Sequence, residues 1–477
     1  MKAPFSPWLL GIRDGLKDLI ALLERDYPYV SALATDSKGL AVQISQHAKA
    51  VRNATMTTER GVVFRVWKDG LYSEYALNEF DPAAAEATAA QIKTALDAQL
   101  TILRETGAQV YDTPVLADEP LTLFVEKETE QLPEAADVKA LVEKLTALSN
   151  RGMTLDPRAI ECFASAQSTH ICKLFLTKNR DLSQSYVYSE GGVGVVVMEN
   201  GKNQMDYGSV SGLCGPELFD QLGAKLDKAA SGAAELLTAE RIEPGEYEII
   251  TSPEVTGLIA HEAFGHGVEM DMFVKNRALG KDYIGQRVGS ELCSMHEGAL
   301  CAENVTSYAF DDEGTLAGDV TEIDKGILKT GICDALAALR LGVEPTGNGK
   351  RQNYAHKVYT RMTNTMFDSG DSTLEEMIAA TKRGFLLEGM ESGMEDPKHW
   401  GIQCIIKRGR EIVDGKLTGK VVAPIILTGY VPDLLGGICM RSGDREVFGS
   451  GGCGKGHKEW VKVADGGPYL KTKARLG

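Results

Sequence analysis

The sequence predicts an α+β protein, with an N-terminal α/β domain over residues 1–240 and a C-terminal domain over 241–477 built on antiparallel sheet. Three observations carry this reading. The first 240 residues alternate helical runs with meanders of short strands. The composition then shifts through a polar link, Ile242-Glu243-Pro244-Gly245. Beyond Asp271 the chain is rich in Gly, Asn and short strands, with few helical runs. At 477 residues it is also too long for one core.

Residues Pro7 to Arg25 make an amphipathic helix, with Leu9, Leu10, Ile12, Leu16, Leu19, Ile20 and Leu23 at helical spacing. Short alternating runs follow at Val30–Leu33, Leu40–Ile44, Val62–Trp67 and Leu71–Tyr75, with Lys68-Asp69-Gly70 as the turn between the last two. Asp81 as N-cap and Pro82 in the first turn open a helix from Ala83 to about Arg104. The plan then recurs, either as a duplicated unit or by coincidence. A helix at Glu134–Ser149 leads to strands around Ile160–Ala166, Ile171–Thr177, Ser185–Ser189 and Gly194–Glu199, and Gly215-Pro216 opens a helix to Leu237.

In the second half, Tyr247–Thr251 is a strand, and Ser252-Pro253 is a suitable N-cap and first turn for a helix carrying His261. Further strands are expected at Leu300–Tyr308, Ile327–Gly331, Gly401–Arg408 and Val421–Leu427, and helices at Asp334–Leu341 and Thr373–Arg383. The loops between them could cover a substrate.

Bulk properties exclude several roles. Hydrophobic residues at 43% and charged residues at 25% are ordinary for a soluble globular protein. A net charge of −16 argues against a nucleic-acid backbone as the main partner, yet would not repel a neutral or basic peptide. No run of 18 apolar residues exists to span a membrane. Arg13, Asp14 and Lys17 interrupt the apolar Trp8–Ile12, so no secretory signal is expected. The nine cysteines are odd in number, scattered and without a CxxC pair, which suggests reduced cytoplasmic thiols.

Metal chemistry is legible in His261-Glu262-Ala263-Phe264-Gly265-His266. Two imidazoles bind a metal, and a carboxylate beside the first handles a proton. In the familiar HExxH spacing the histidines lie about 40° apart around a helix. At i and i+5 they lie about 140° apart, and a regular helix would aim them to different sides. A π-turn brings them together, so we expect a bulge or break at Gly265, with Gly265 and Gly267 easing the distortion. Otherwise the string is a helix whose polar residues fill surface or capping roles.

A catalytic zinc takes three protein ligands and keeps a position open for water. Glu269 and Asp271 are close in sequence and are candidates for the third ligand. Cys453 is another, in Gly451-Gly452-Cys453-Gly454-Lys455-Gly456, where flanking glycines free the backbone to fold around a thiolate and make burial in a regular strand unexpected. The other eight cysteines read as small buried hydrophobes. His457 is either a group supporting the site or, as we favour, a surface residue.

Of the other polar clusters, none has comparable spacing. His47, His170, His296, His356 and His399 are isolated and read as structural. Gly449–Gly456 with Lys455 does not meet the phosphate-loop spacing. Asp311-Asp312-Glu313-Gly314-Thr315 lacks EF-hand ligand spacing and reads as a turn with solvated carboxylates. The loops at 346–351 and 361–365, the latter starting with Arg361, either bind a peptide backbone or only make turns.

Taken together, HEAFGHGVEMD at 261–271, FDDEGT at 310–315, TGNGKRQNYA at 346–355, RMTNT at 361–365 and GGCGKG at 451–456 resemble the TldD/PmbA family, in its catalytic TldD-like branch. The likeness extends over most of the chain and is densest from about residue 246. It implies a cytoplasmic metallopeptidase that trims peptides or unfolded polypeptide, including leader segments of modified peptides. It further implies zinc held by His261, His266 and Cys453, with Glu262 as general base. An N-terminal α/β domain, a C-terminal antiparallel sheet and a dimer enclosing the active sites are also implied, the partner being an identical chain or a non-catalytic relative. The run Gly456-His457-Lys458 is not typical of the family. Against this stands a non-catalytic binding or regulatory protein with a structural metal site, which would normally want four protein ligands. A blue-copper site shares the His2Cys set, but expects a weak axial Met and gives Glu262 no role.

Overall fold

The computed structural model describes residues 1–106, 111–455 and 459–477. Its first half is one sheet of eight strands flanked by helices. The strands are β1 (Tyr29–Ile44), β2 (Lys49–Arg52), β3 (Arg60–Lys68), β4 (Leu71–Leu77), β5 (Leu121–Glu126), β6 (Ala159–Leu176), β7 (Arg180–Glu199) and β8 (Lys202–Gly212). They lie in the order β4-β3-β1-β6-β7-β5, with β2 paired to β1 and β8 to β7. Six expected short strands are parts of three longer ones: β1 joins Val30–Leu33 to Leu40–Ile44, β6 joins Ile160–Ala166 to the run from Ile171, and β7 joins Ser185–Ser189 to Gly194–Glu199. The turn between β3 and β4 is a two-residue Asp69-Gly70 hairpin, both at positive φ as a primed turn needs.

Helices α1 (Pro7–Leu23) and α2 (Ala85–Glu105) cover one end of a sheet face, burying Leu9, Leu16 and Leu96 against Ala34, Phe64 and Leu174. Helices α3 (Val138–Leu155) and α4 (Leu222–Thr238) cover the other end, over Val42, Ala164 and Val195. The two helix–meander–helix units therefore share one continuous sheet. Leu33, Val63, Phe175 and Leu182 gather instead with Phe310 from the second half. Ion pairs reinforce this junction: Arg65 with Glu313, Lys173 with Asp312, Arg351 with Glu74, and Lys462 with Glu190.

The second half is built on an eleven-stranded sheet. Strand β9 (Gly245–Thr251) pairs antiparallel with the last strand, Ala464–Leu476, and parallel with Arg383–Asp396. Through Gly401–Val413 and Ile425–Tyr430 the pairing returns to the last strand, so five strands close a ring. Helix α5 (Pro253–Ala260) follows β9 and packs in the core this ring supports, with Val255, Leu258 and Ile259 among Leu387, Ile402, Ile406 and Leu470.

Some expected elements differ. Leu300–Tyr308 is not a strand but a run of turns in which side chains meet the Ala302 carbonyl, Asn364 and Ser307 both donating to it. Val421–Leu427 is split into Lys416–Val422 and Ile425–Tyr430 around Pro424, which has no N–H for a ladder. The expected helix end at Arg383 is the start of a long strand, the helix itself being Leu374–Ala379 with a capping box between Thr373 and Glu376. No helix among the described residues is long and apolar enough to cross a membrane.

Candidate metal centre

Helix α5 does not end regularly. From His261 to Gly265 it widens into a π-turn, in which the His266 N–H bonds the His261 carbonyl five residues back. The wider turn offsets the excess rotation between i and i+5, and the two imidazole rings stand 5.0 Å apart and perpendicular. Gly265 keeps ordinary right-handed dihedrals, φ −59° and ψ −63°. Its small size answers a different need: a Cβ there would run into Met362 Sδ and lie 3.2 Å from the Ala260 carbonyl oxygen.

Cys453 reaches the same point from the far end of the chain. It is buried in a short strand, Gly452–Gly454, paired with Trp460–Lys462. The glycine-rich setting thus does not prevent burial in a strand, because Cys453 packs there with Ile332, Met362, Val461 and Val463. Cys453 Sγ lies 3.2 Å from His266 Nε2, and one ligand atom from each of His261, His266 and Cys453 fall within 4.8 Å of one another. Tetrahedral zinc with nitrogen and sulfur ligands sets roughly 3.3–3.6 Å between ligand atoms; the Cys453–His266 contact stands near that spacing, and two imidazoles with a thiolate are a donor set that zinc takes. Burial pushes the Cys453 thiol up, but the two imidazoles outweigh it and bring the group down to about 4, the thiolate state that a metal requires.

Glu269 and Asp271 are not gathered with these three side chains; cations engage both. Glu269 Oε2 accepts from His266 Nδ1 at 3.0 Å and pairs with Lys455 at 3.1 Å. Asp271 is held between Lys455 at 2.6 Å and Lys275 at 2.8 Å. Lys455 is therefore a link between the Cys453 hairpin and the segment after His266, not a phosphate-loop cation.

The three side chains and Glu262 line one cavity of about 530 Å³. Burial raises the Glu262 carboxyl above its ordinary range, with His261 and His266 opposing. A Cβ on Gly393 would lie 2.5 Å from Glu262 Cγ, so the strand Arg383–Asp396 presses directly onto this glutamate. Glu395, two residues on, also lines the cavity; both its carboxyl oxygens are buried without a hydrogen-bond partner, and burial pushes it up to about 9. Asp465 Oδ2 lies 3.7 Å from His261 Nδ1. Neither Glu395 nor Asp465 had a signal in the sequence: both come from distant strands and belong to no spaced motif. For Glu269 the i+3 spacing from His266 was visible, but its role as partner instead of ligand was not.

The remaining candidates stand apart. His47, His170, His296, His356 and His399 face Glu161, Glu134, Asp319, Asn353 and Asp396 respectively. Asp311 and Asp312 are buried, not solvated: Asp311 accepts from the backbone of Glu313, Thr315 and Gly349, and Asp312 pairs with Lys173. His457 lies outside the described residues.

Residues 244–471 match the family model described as the PmbA/TldA metallopeptidase C-terminal domain. A metalloprotease of Methanocaldococcus jannaschii is 33% identical over 281 residues, 59% of this chain and 61% of the relative. A zinc metalloprotease TldD homolog of Saccharolobus solfataricus is 32% identical over 297 residues, 61% of this chain and 63% of the relative. The matches thus span less than two thirds of these curated relatives. Among solved structures, TldE from Thermococcus kodakarensis aligns with a TM-score of 0.75 at 16% identity, covering 97% of this chain and 100% of that one. A Thermotoga maritima chain aligns at 0.74 and 17% identity, covering 98% and 100%. At such identities these structures share the fold.

Proposed function

Because the chain belongs to the TldD/PmbA family, we propose that it is a zinc-dependent metallopeptidase hydrolysing peptides or unfolded polypeptide. The observation that carries the reading is the meeting of His261, His266 and Cys453 in the cavity that Glu262 also lines. His261, His266 and Cys453 would hold the ion. Zinc in such a site supplies Lewis-acid polarisation of a carbonyl and activation of water. Glu262 is the general base: it takes the proton of the attacking water and can pass it to the leaving amine. Its raised pKa brings it towards neutrality, where a base is most effective.

A strand edge supports binding of an extended chain. Residues Met390–Asp396 pair with Gly401–Ile406 on one side, whereas β9 reaches only Gly384–Leu387 on the other. Residues 390–395 line the cavity, and a peptide laid along their open edge would be held by backbone hydrogen bonds with little regard to sequence. In this reading 1–240 and 241–477 are two domains. The chain works in the cytoplasm, in a dimer with itself or with a non-catalytic relative, whose enclosure admits only extended chains.

The test is metal analysis with digestion of an unfolded peptide by the wild type, Glu262→Gln and Cys453→Ala. We expect Glu262→Gln to keep its zinc and lose about 10²–10⁴-fold in rate, and Cys453→Ala to lose zinc. A Glu262→Gln protein that digests as fast as wild type refutes the general-base role. Full zinc in Cys453→Ala places the third ligand elsewhere.

A further inference from the structure

Two segments prominent in the sequence, 346–355 and 361–365, supply neither a metal ligand nor the base. Each sends a cation to the hairpin that carries Cys453. Arg361 is 1% exposed, and its guanidinium donates to the Cys453 carbonyl at 2.7 Å through one terminal nitrogen and to the Glu459 carbonyl at 2.7 Å through the other. Lys350 Nζ donates to the Lys462 carbonyl at 2.5 Å and to that of Met362 at 2.9 Å. The loops therefore grip backbone, but it is the protein's own.

The hairpin needs such a grip. Its ladder has only three residue pairs, and Gly451, Gly452 and Gly454 surround the ligand. Isolated two-stranded hairpins are marginal in water, and glycine loses more backbone freedom on ordering than any other residue. A guanidinium is a rigid fork that reaches two carbonyls at once, which the single ammonium of lysine cannot reproduce in one plane. The same Arg361 also lies 3.7 Å from Glu269 Oε1, and Glu269 is the carboxylate that orients His266.

We propose that Arg361 is a positioning residue of the metal centre: it fixes the Cys453 hairpin against the Glu269–His266 pair, so that sulfur and imidazole stand at ligand spacing before the ion binds. This rests on the reading of His261, His266 and Cys453 as the zinc ligands. A merely structural Arg361 would affect folding but not the geometry of the sulfur. Arg65, which is also buried and pairs with Glu74 and Glu313 at the junction of the halves, serves as control.

The experiment uses the full chain. Zinc affinity is measured by chelator competition, and cobalt(II) loaded in place of zinc reports the thiolate through its sulfur-to-metal charge-transfer absorption. Arg361→Met is expected to raise the zinc Kd about 10–100-fold and to lose about half or more of the charge-transfer intensity; Arg361→Lys raises Kd at least about fivefold. Arg65→Met is expected to lower thermal stability with Kd within about twofold of wild type. A folded Arg361→Met with wild-type affinity and absorption overturns the proposal. Should Arg361→Met not fold, an Arg361→Lys protein with Kd within about twofold of wild type overturns it, as does an Arg65→Met protein with the same loss of affinity. Failure of the underlying ligand assignment shows separately, as a Cys453→Ala protein that keeps the charge-transfer absorption.

Discussion

The Glu269 carboxylate stands 3.0 Å from Nδ1 of His266, while Nε2 of the same ring stands 3.2 Å from the Cys453 sulfur. Burial pushes Glu269 up, but Lys455 and His266 outweigh it and keep the carboxylate ionised. An ionised acceptor keeps the ring proton on Nδ1, so that Nε2, which faces the sulfur, is the nitrogen that gives up its proton to a metal. Glu269→Gln retains an acceptor but loses the charge. Zinc affinity is expected to fall about 10–100-fold, measured by chelator competition, with the fold retained by circular dichroism. Unchanged affinity would remove the tautomer argument.

The two glycines around His266 differ in kind. At Gly265 a methyl group would meet Met362 Sδ and the Ala260 carbonyl, whereas at Gly267 the nearest atom is Glu395 Oε1 at 3.4 Å, ordinary contact. Gly265→Ala is expected to destabilise the protein by about 1–3 kcal/mol and to weaken metal binding, as overpacking does in a filled core. Gly267→Ala should stay close to wild type in both. Parallel thermal melts and zinc titrations decide it; equal effects at the two sites would mean that backbone freedom matters more than space.

Gly393 gives a way to move the proposed base, Glu262, without touching a proposed ligand. Its missing side chain leaves room for Glu262 Cγ at 2.5 Å and Oε1 at 3.0 Å. Gly393→Ala displaces the carboxylate, and a displacement of about 1 Å at a reacting group can cost on the order of 10²-fold. Peptide hydrolysis should drop by that order while zinc content stays full. Loss of zinc together with activity would point to a wider collapse of the site.

Much of this was legible, and the illegible parts share physical causes. Helix α1 and the β3–β4 hairpin follow from periodicity and turn chemistry, and the histidine pair from a local spacing. The long strands β1 and β6 read as pairs of short ones because polar residues interrupt them. In β1 these are Thr35, Asp36 and Ser37, all buried, with Asp36 accepting from Ser6 Oγ at 2.5 Å and from Arg60 Nε at 2.9 Å. Satisfied polar groups inside a sheet erase the alternation that marks a strand. The last strand is masked in the same way by Asp465-Gly466-Gly467-Pro468, the first of which approaches His261. Glu395, Asp465 and Arg361 acquire their places only when strands distant in sequence pair, and no single-chain spacing encodes that.

Glu59 offers a test of the junction between the halves through pH. Its carboxylate accepts from the Tyr354 N–H at 2.7 Å, and burial raises it from about 4.5 to about 7, with the Tyr354 hydrogen bond and Lys173 opposing. In the folded state the group thus holds its proton over a range where the unfolded chain has released it. The folded state binds more protons between about pH 4.5 and 7, so stability from this group falls as pH rises through that window and is level above it. Each tenfold change in proton affinity is worth about 1.4 kcal/mol, so the whole loss is roughly 3–4 kcal/mol, of which about 2–3 kcal/mol falls between pH 5 and pH 8. Glu59→Gln keeps an acceptor for Tyr354 and cannot ionise. Relative to wild type it should therefore gain about 2–3 kcal/mol of stability between pH 5 and pH 8, read as the difference in denaturant unfolding at the two pH values. A difference between the two proteins that does not change with pH would show that Glu59 ionises freely where it stands.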